Sequence, residues 1–475
     1  MTLDRRKFLL QCSLGALGVA GMGFAAPAHA LGRGLLRQPS PALLPTARAK
    51  KIIYLHMSGG PPGLDMFDYK PELVKYDRKP CPQEFLEGKR FAFIKGTPVL
   101  LGPPHKFKQV GQNGTWVSEL LPNFEKIADE VCMIHSMHTD QFNHAPAELL
   151  LHTGTQVFGG ASLGSWVLHG LGTMNPDLPG FVVMLSGPSD PTGGKSLWGS
   201  GFLPSHLQGT LMRAKGDPIL YVSNPAGMDR EGRRSSLDAL AKLNKLEHER
   251  SGSPDTLSRL EQYELAYRMQ ASVPDAMDIT QESAQTIEDY GAKPGEASFA
   301  NNCLLARRLV ERDVRFVQLY DWGWDIHGTN NGDDLMTSFP QKCKEIDRPV
   351  AALIQDLKKR GLLDETLVVW GGEFGRTPMN EARDGSTKLG RDHHPDCFTL
   401  WMAGGGVKAG LHYGETDELG YSITKDPVSI RHLQATILHI MGLDPFHLRY
   451  PHLGLDQRLV GPDDDVVQIR PELLA

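Results

Sequence analysis

The last third of the chain alternates helical and strand periodicity with little between them, and few architectures accept that pattern. Apolar spacing predicts a helix over 298–312 running into a strand Arg315–Leu319, then a helix over 336–360 running into a strand Thr366–Trp370. A third strand, Phe398–Met402, leads on to a helix over 429–441. Strands that run in one direction need a crossover between them, and a helix is the usual crossover. The alternation therefore predicts an α/β fold, a doubly wound and mostly parallel sheet with helices on both faces.

The earlier chain fits the same frame less regularly. A strand Lys51–Met57 breaks at Ser58-Gly59-Gly60-Pro61-Pro62-Gly63, and a Pro/Gly-rich stretch extends to about residue 115. The pattern then predicts a helix near 117–130, a strand Val131–Ser136, a helix Ala145–Leu151, an amphipathic segment near 162–171 and a strand Gly180–Leu185. From about 228 to 295 the composition turns to charged residues and Leu at helical spacing, which predicts a helical insertion into a domain over 50–475. Neither a P-loop nor a strand-to-helix G-x-G-x-x-G is present.

Charge excludes one class of partner. A formal net charge of −6 with mixed signs and no basic stripe carries no nucleic-acid footprint.

The N-terminus reads as an address rather than as fold. Asp4-Arg5-Arg6-Lys7-Phe8-Leu9 opens a twin-arginine signal, and Ala28-His29-Ala30 offers a cleavage site, which makes residues 1–30 a signal peptide and 31–49 a linker. The glycine-rich apolar stretch ends at Pro27, which argues against a stable membrane span. The expected partner during export is the twin-arginine translocase, and the expected destination is the periplasm or cell exterior. Five widely spaced cysteines remain after cleavage, with no C-x-x-C pair; they read as buried small hydrophobes with room for one disulfide.

Polar clusters follow the predicted strands. Asp65 and Asp68 lie after the first, Asp325 and His327 after Val317–Tyr320, Glu373 after Leu367–Trp370, and Asp392-His393 in the next loop. In a parallel sheet those ends share one edge, so groups some 300 residues apart can converge there. Imidazole with carboxylate suits Zn, Mn or Fe, while an oxygen-dominated subset suits Mg or Ca. Taken singly, each Asp is equally a turn or cap residue and each His an ordinary packed one. A fifth cluster, His135 to His144, joins a strand to a helix. There Ser136 and Thr139 are candidate nucleophiles, and Asn143 and His144 candidate ligands or donors, although Asp140 or Asn143 also suits a helix cap. Arg376 is placed either to clamp an anionic ester or to pair with Glu373 or Asp392.

Several motifs occur in a fixed order: GGPPGLDMFDYKP at 59–71, the Asn143–Glu148 run with His152-Thr153-Gly154, WDIHGTN at 324–330, GGEFGRTP at 371–378, GRDHHP at 390–395 and AGGGVKAG at 403–410. In this the chain resembles the exported bacterial family called domain of unknown function 1501, which is similar to the alkaline phosphatase and sulfatase superfamily. The resemblance implies an alkaline phosphatase-like fold and metal-dependent cleavage of sulfate or phosphate esters, with a sulfated or phosphorylated polysaccharide as one substrate class. It implies Asp65, Asp325, His327, Glu373 and His393 as metal ligands, and His394 or His144 as the acid that protonates the leaving group. Phe374 stands where the pattern has a second imidazole, so one divalent ion (Zn, Mn, Ca or Mg) is expected. The formylglycine signature Cys-x-Pro-x-Arg is absent. The alternative is a catalytically degenerate member that binds a glycan or partner at the cell surface.

Overall fold

Lys51–Ser58, the strand β1, is buried at all eight positions, as the middle of a helix-covered sheet requires. The computed structural model describes residues 44, 47–87, 94, 96–219, 224, 227–381 and 383–475, all in one folded unit. Residues 1–30, expected from the sequence to be a signal peptide, and most of the expected 31–49 linker lie outside the described residues.

Eight further strands complete the sheet: β2 Val131–His138, β3 Phe181–Ser186, β4 Thr210–Leu211, β5 Phe316–Trp322, β6 Thr366–Gly371, β7 Phe398–Ala403, β8 His412–Tyr413 and β9 Val428–Ser429. Their order is β8-β2-β7-β6-β1-β5-β3-β4, with β9 also paired to β2. The helices are α1 His144–Thr153, α2 Leu163–Leu171, α3 Arg230–Ser251, α4 Pro254–Met277, α5 Ala284–Tyr290, α6 Phe299–Glu311, α7 Ser338–Lys359 and α8 Ile430–Ile440, besides shorter turns.

Strand alternation divides the core in two. Ile53, Leu55 and Met57 of β1 pack with α4, α6 and α7, whereas Ile52 and Tyr54 face α1, α2 and α8. Helices therefore cover both faces of a mixed, mostly parallel α/β sheet. Helix starts follow ordinary capping chemistry: Ser298 accepts from the Asn301 amide ahead of α6, and Ser429 with His432 closes a capping box on α8. Gly154 ends α1 at φ 72°, and a Cβ there would meet the Leu459 carbonyl at 1.8 Å.

The structure departs from the sequence pattern in two places. Residues 117–130 form no helix; Thr115–Ser118 is a strand paired with Phe107–Val110, followed by single turns at Phe124–Lys126 and Ala128–Glu130. β-Branched Thr115 and Val117 favour the strand, and Pro122 supplies no amide to a helix. The second departure is β7, which runs antiparallel to both neighbours, β6 and β2. No crossover helix joins β6 to β7 among the described residues, so the chain re-enters the sheet at the edge it left. The start of β7, not its end, thus shares an edge with the ends of β1, β2, β5 and β6.

All five cysteines of the domain, Cys81, Cys132, Cys303, Cys343 and Cys397, are buried free thiols. Among the described residues no helix is long and apolar enough to cross a membrane.

Candidate metal centre

That shared edge gathers side chains from four elements. His144 opens α1 just after β2, Asp325 and His327 follow β5, Glu373 follows β6, and His393 precedes β7. Asp325 is the hub. Its Oδ1 accepts from His327 Nε2 at 2.7 Å and Arg376 Nη2 at 2.5 Å and lies 3.1 Å from His393 Nε2, and its Oδ2 faces His144 Nε2 at 3.2 Å.

Each imidazole is held from behind by its other nitrogen. His144 Nδ1 donates to Glu373 Oε1 at 2.6 Å, His393 Nδ1 donates to the Phe142 carbonyl at 2.6 Å, and His327 Nδ1 meets Glu381, itself held by Arg383. Backing of this kind fixes the ring and the tautomer, leaving Nε2 as the forward atom, which is how metal-ligating histidines are oriented. His144, Asp325 and His393 offer atoms all within 4.8 Å of one another. The donor set therefore fits a divalent ion of the N/O-ligated kind.

Electrostatics follow from the crowding. Burial disfavours the charged form of Asp325, but Arg376 and the three imidazoles outweigh it and hold the carboxylate far below the usual range. Burial likewise opposes charge on His144, yet Asp325 and Glu373 raise it to about 9. His327 is raised as well, by Asp325 and Glu381 against burial. His393 goes the other way, to about 4, through burial and the nearby Arg376 charge.

Phe374 packs against two of the imidazoles, with ring centroids 4.9 Å from His144 and 4.5 Å from His393. It walls the centre instead of contributing a donor.

Other sequence candidates lie elsewhere. Asp65 is fully buried in a two-bond pair with Arg391 and takes no part in the histidine cluster. Glu373 stands behind His144, and its carboxylate also accepts the Gly59 amide at 2.9 Å. Arg376 bonds the carbonyls of Gly59, Gly60 and Arg391 and the Asp325 carboxylate, which makes it a buried tie between loops. Ser136 lies inside β2, which runs two residues past its predicted end, and its hydroxyl donates to the Asp426 carbonyl at 2.5 Å. Thr139 lines a separate pocket with Ser429, Ile430 and Arg431. His394, next to His393 on a two-residue strand, points the opposite way, bonds the Tyr421 carbonyl at 2.7 Å and stacks on that ring. Asn143 immediately precedes α1 and makes no side-chain capping bond.

The pattern missed three buried groups beneath this centre: His56 on β1, and Glu148 and His152 on α1. Their signal was readable. His144, Glu148 and His152 recur every four residues, on one face of an otherwise apolar helix, and His56 interrupts an apolar strand.

A family model described as "Protein of unknown function (DUF1501)" matches residues 49–469. The chain belongs to that family. No curated protein matches it. Among solved structures, Ps i-CgsB in complex with k-i-k-neocarrahexaose is 10% identical, over 83% of this chain and 72% of that one, at a TM-score of 0.35. The PsFucS1 sulfatase from Pseudoalteromonas sp. is 13% identical, over 83% and 68%, also at 0.35. The alkaline phosphatase from the Antarctic bacterium TAB5 is 11% identical, over 84% and 99%, at 0.33. At such scores no residue role is transferred from them to this member of the DUF1501 family.

Proposed function

We propose that this protein is an exported, metal-dependent hydrolase of sulfate or phosphate esters. One observation carries the metal part: three imidazole Nε2 atoms converge on the Asp325 carboxylate, each ring backed at Nδ1. The ester class and the twin-arginine route rest on the resemblance of the ordered motifs.

In this reading His144, Asp325 and His393 would hold the ion. When bound, a divalent ion supplies a Lewis acid for an ester oxygen and lowers the pKa of water. Glu373 and the Phe142 carbonyl fix the two rings, and Arg376 fixes Asp325 against the Gly59-Gly60 turn. His327 holds a proton between Asp325 and Glu381, so it is the acid placed to give that proton to the departing ester oxygen. His394 points away from Asp325, toward the Tyr421 carbonyl, and is not so placed. Water is the nucleophile: its oxygen bonds to phosphorus or sulfur as the ester bond breaks, and the proton it gives up passes to solvent. A sulfated or phosphorylated polysaccharide is the substrate class to test first.

The non-catalytic binding reading draws on one observation, that neither Ser136 nor Thr139 is turned to Asp325. Metal content by mass spectrometry, together with turnover of aryl phosphate and aryl sulfate panels, separates the two. Hydrolysis that disappears with the metal in Asp325→Ala and His393→Ala supports the enzyme. Bound metal without turnover on any panel member supports the binder, and purified protein that takes up no metal from replete medium sinks the enzyme reading.

A further inference from the structure

Below the histidine cluster, between β1 and α1, lies a second, buried group of ionisable side chains. His56, Glu148 and Glu373 are each 0% exposed. His56 Nε2 stands 3.5 Å from Glu373 Oε2 and 3.7 Å from Glu148 Oε1, and the three donor atoms all lie within 4.8 Å of one another.

The hydrogen bonding around the group is incomplete at its centre. Both ring nitrogens of His56 and Oε1 of Glu148 are buried without a hydrogen-bond partner. The opposite oxygen of Glu148 is amply served: Oε2 accepts from the Thr192 hydroxyl at 2.7 Å and from the Gly193 amide at 2.7 Å. Those two donors turn Oε1 toward His56. Glu373 Oε1 accepts from His144 and from the Gly59 amide, which also reaches Oε2 at 3.2 Å, and Oε2 faces His56. Native interiors rarely leave several such atoms unsatisfied in one place.

Charge points the same way. Two carboxylates lie here with no Lys or Arg ion-paired to either among the described residues, and Glu148 has His56 as its ion-pair partner. Glu373 also has His144, but Glu148 has only the His56 ring as a countercharge among the described residues, and burying such a carboxylate is costly unless a cation joins it. The spacing suits one. A tetrahedral ion with bonds of about 2.0–2.2 Å holds its ligand atoms about 3.3–3.6 Å apart, close to both separations from His56.

We infer that His56, Glu148 and Glu373 form a second, wholly buried site for a divalent cation of the zinc or manganese type. Glu373 is shared: one oxygen backs His144 in the outer centre and the other serves the inner ion. His56 and Glu148 are its own ligands, and Thr192 and Gly193 position Glu148. The inner site does not depend on the outer centre being catalytic.

The test is metal stoichiometry in full-length mature protein dialysed against zinc or manganese and then washed free of loose ion. Two ions per chain are expected, falling to one in Glu148→Gln and in His56→Gln, with the remaining ion lost in His393→Ala. Wild-type crystals grown with the same ion should show an anomalous peak between His56 and Glu148, a readout that needs no variant to fold. A single ion kept by Glu148→Gln and lost by His393→Ala, or ordinary water density without anomalous signal between His56 and Glu148, overturns the inner site. One ion lost by Glu148→Gln but kept by His393→Ala upholds the inner site while removing the outer metal centre.

Discussion

Asp65 grips Arg391 through two bonds, 2.6 Å to Nε and 2.9 Å to Nη2, with both side chains fully buried. Arg391 also donates to the carbonyls of Leu101 and Thr377, so the pair pins the loop before β7 to the segment after β1. Removing one partner from a buried pair leaves an uncompensated charge, which costs about 3–5 kcal/mol. Asp65→Asn should therefore lower the urea midpoint by a corresponding amount while metal content stays at the wild-type level. Loss of one ion per chain at unchanged stability would mean that Asp65 is a ligand after all.

Gly59 should tolerate no side chain. It sits at φ +116°, and a Cβ would fall 2.5 Å from the Asp325 amide nitrogen. Backbone strain at such a position costs roughly 1–3 kcal/mol, and the clash acts on the residue that gathers the imidazoles. Gly59→Ala should lose stability in that range and weaken metal retention under a chelator titration. Wild-type retention in a folded Gly59→Ala protein would uncouple this turn from the centre.

Glu381→Gln should act on His327. The carboxylate helps His327 keep its proton against the cost of burial. With a neutral amide in its place, hydrolysis should slow by about 10- to 100-fold, near or below the usual worth of a positioned acid. The loss should be steepest for poor leaving groups, read as a steeper dependence of kcat/KM on leaving-group pKa. An unchanged slope would remove His327 from the proton-donor role.

His135, outside the histidine cluster around Asp325, gives stability a pH dependence of its own. It stacks on His412 with ring centroids 5.3 Å apart and Nε2 3.0 Å from the partner's Nδ1. Burial holds His135 down at about 4, below the ordinary 6.5, so the unfolded chain takes up its proton first. This contribution is complete above about pH 6.5 and is lost as pH falls toward 4, by at most about 1.4 kcal/mol per unit. Urea midpoints at pH 7.5 and 5 should differ by less in His135→Gln than in wild type. Equal differences would assign the acid sensitivity to other groups.

What the sequence reveals depends on the kind of information each feature holds. Asp325, His327, Glu373 and His393 were legible because polar residues immediately beside apolar strands can be placed on a sheet edge. Strand direction was not legible, since apolar periodicity is the same read either way, and β7 therefore emerged as antiparallel only in three dimensions. Ser136 reads in the sequence as the last residue of its strand, at the junction with the helix; the strand runs two residues further, to His138, so Ser136 lies within the sheet. His56 and Glu148 were passed over because one polar residue in an apolar run ordinarily reads as a satisfied core group. The partner of Asp65 could not be guessed across 326 positions.

The return of the chain at β7 has a consequence for how such a pocket comes into being. A crossover helix would have carried residues 372–397 around the sheet; instead they leave and re-enter at one rim as a single flap. Glu373, Arg376, Arg391 and His393 are thus delivered together, within a loop whose closure costs little more than that of a shorter one. Arg376 and Arg391 then fasten this flap to the β1 and β5 ends, as two rivets hold a hinged plate. The stretch between the two arginines carries Glu381, which holds His327, so an insertion there would reach the chemistry as directly as one at either rivet.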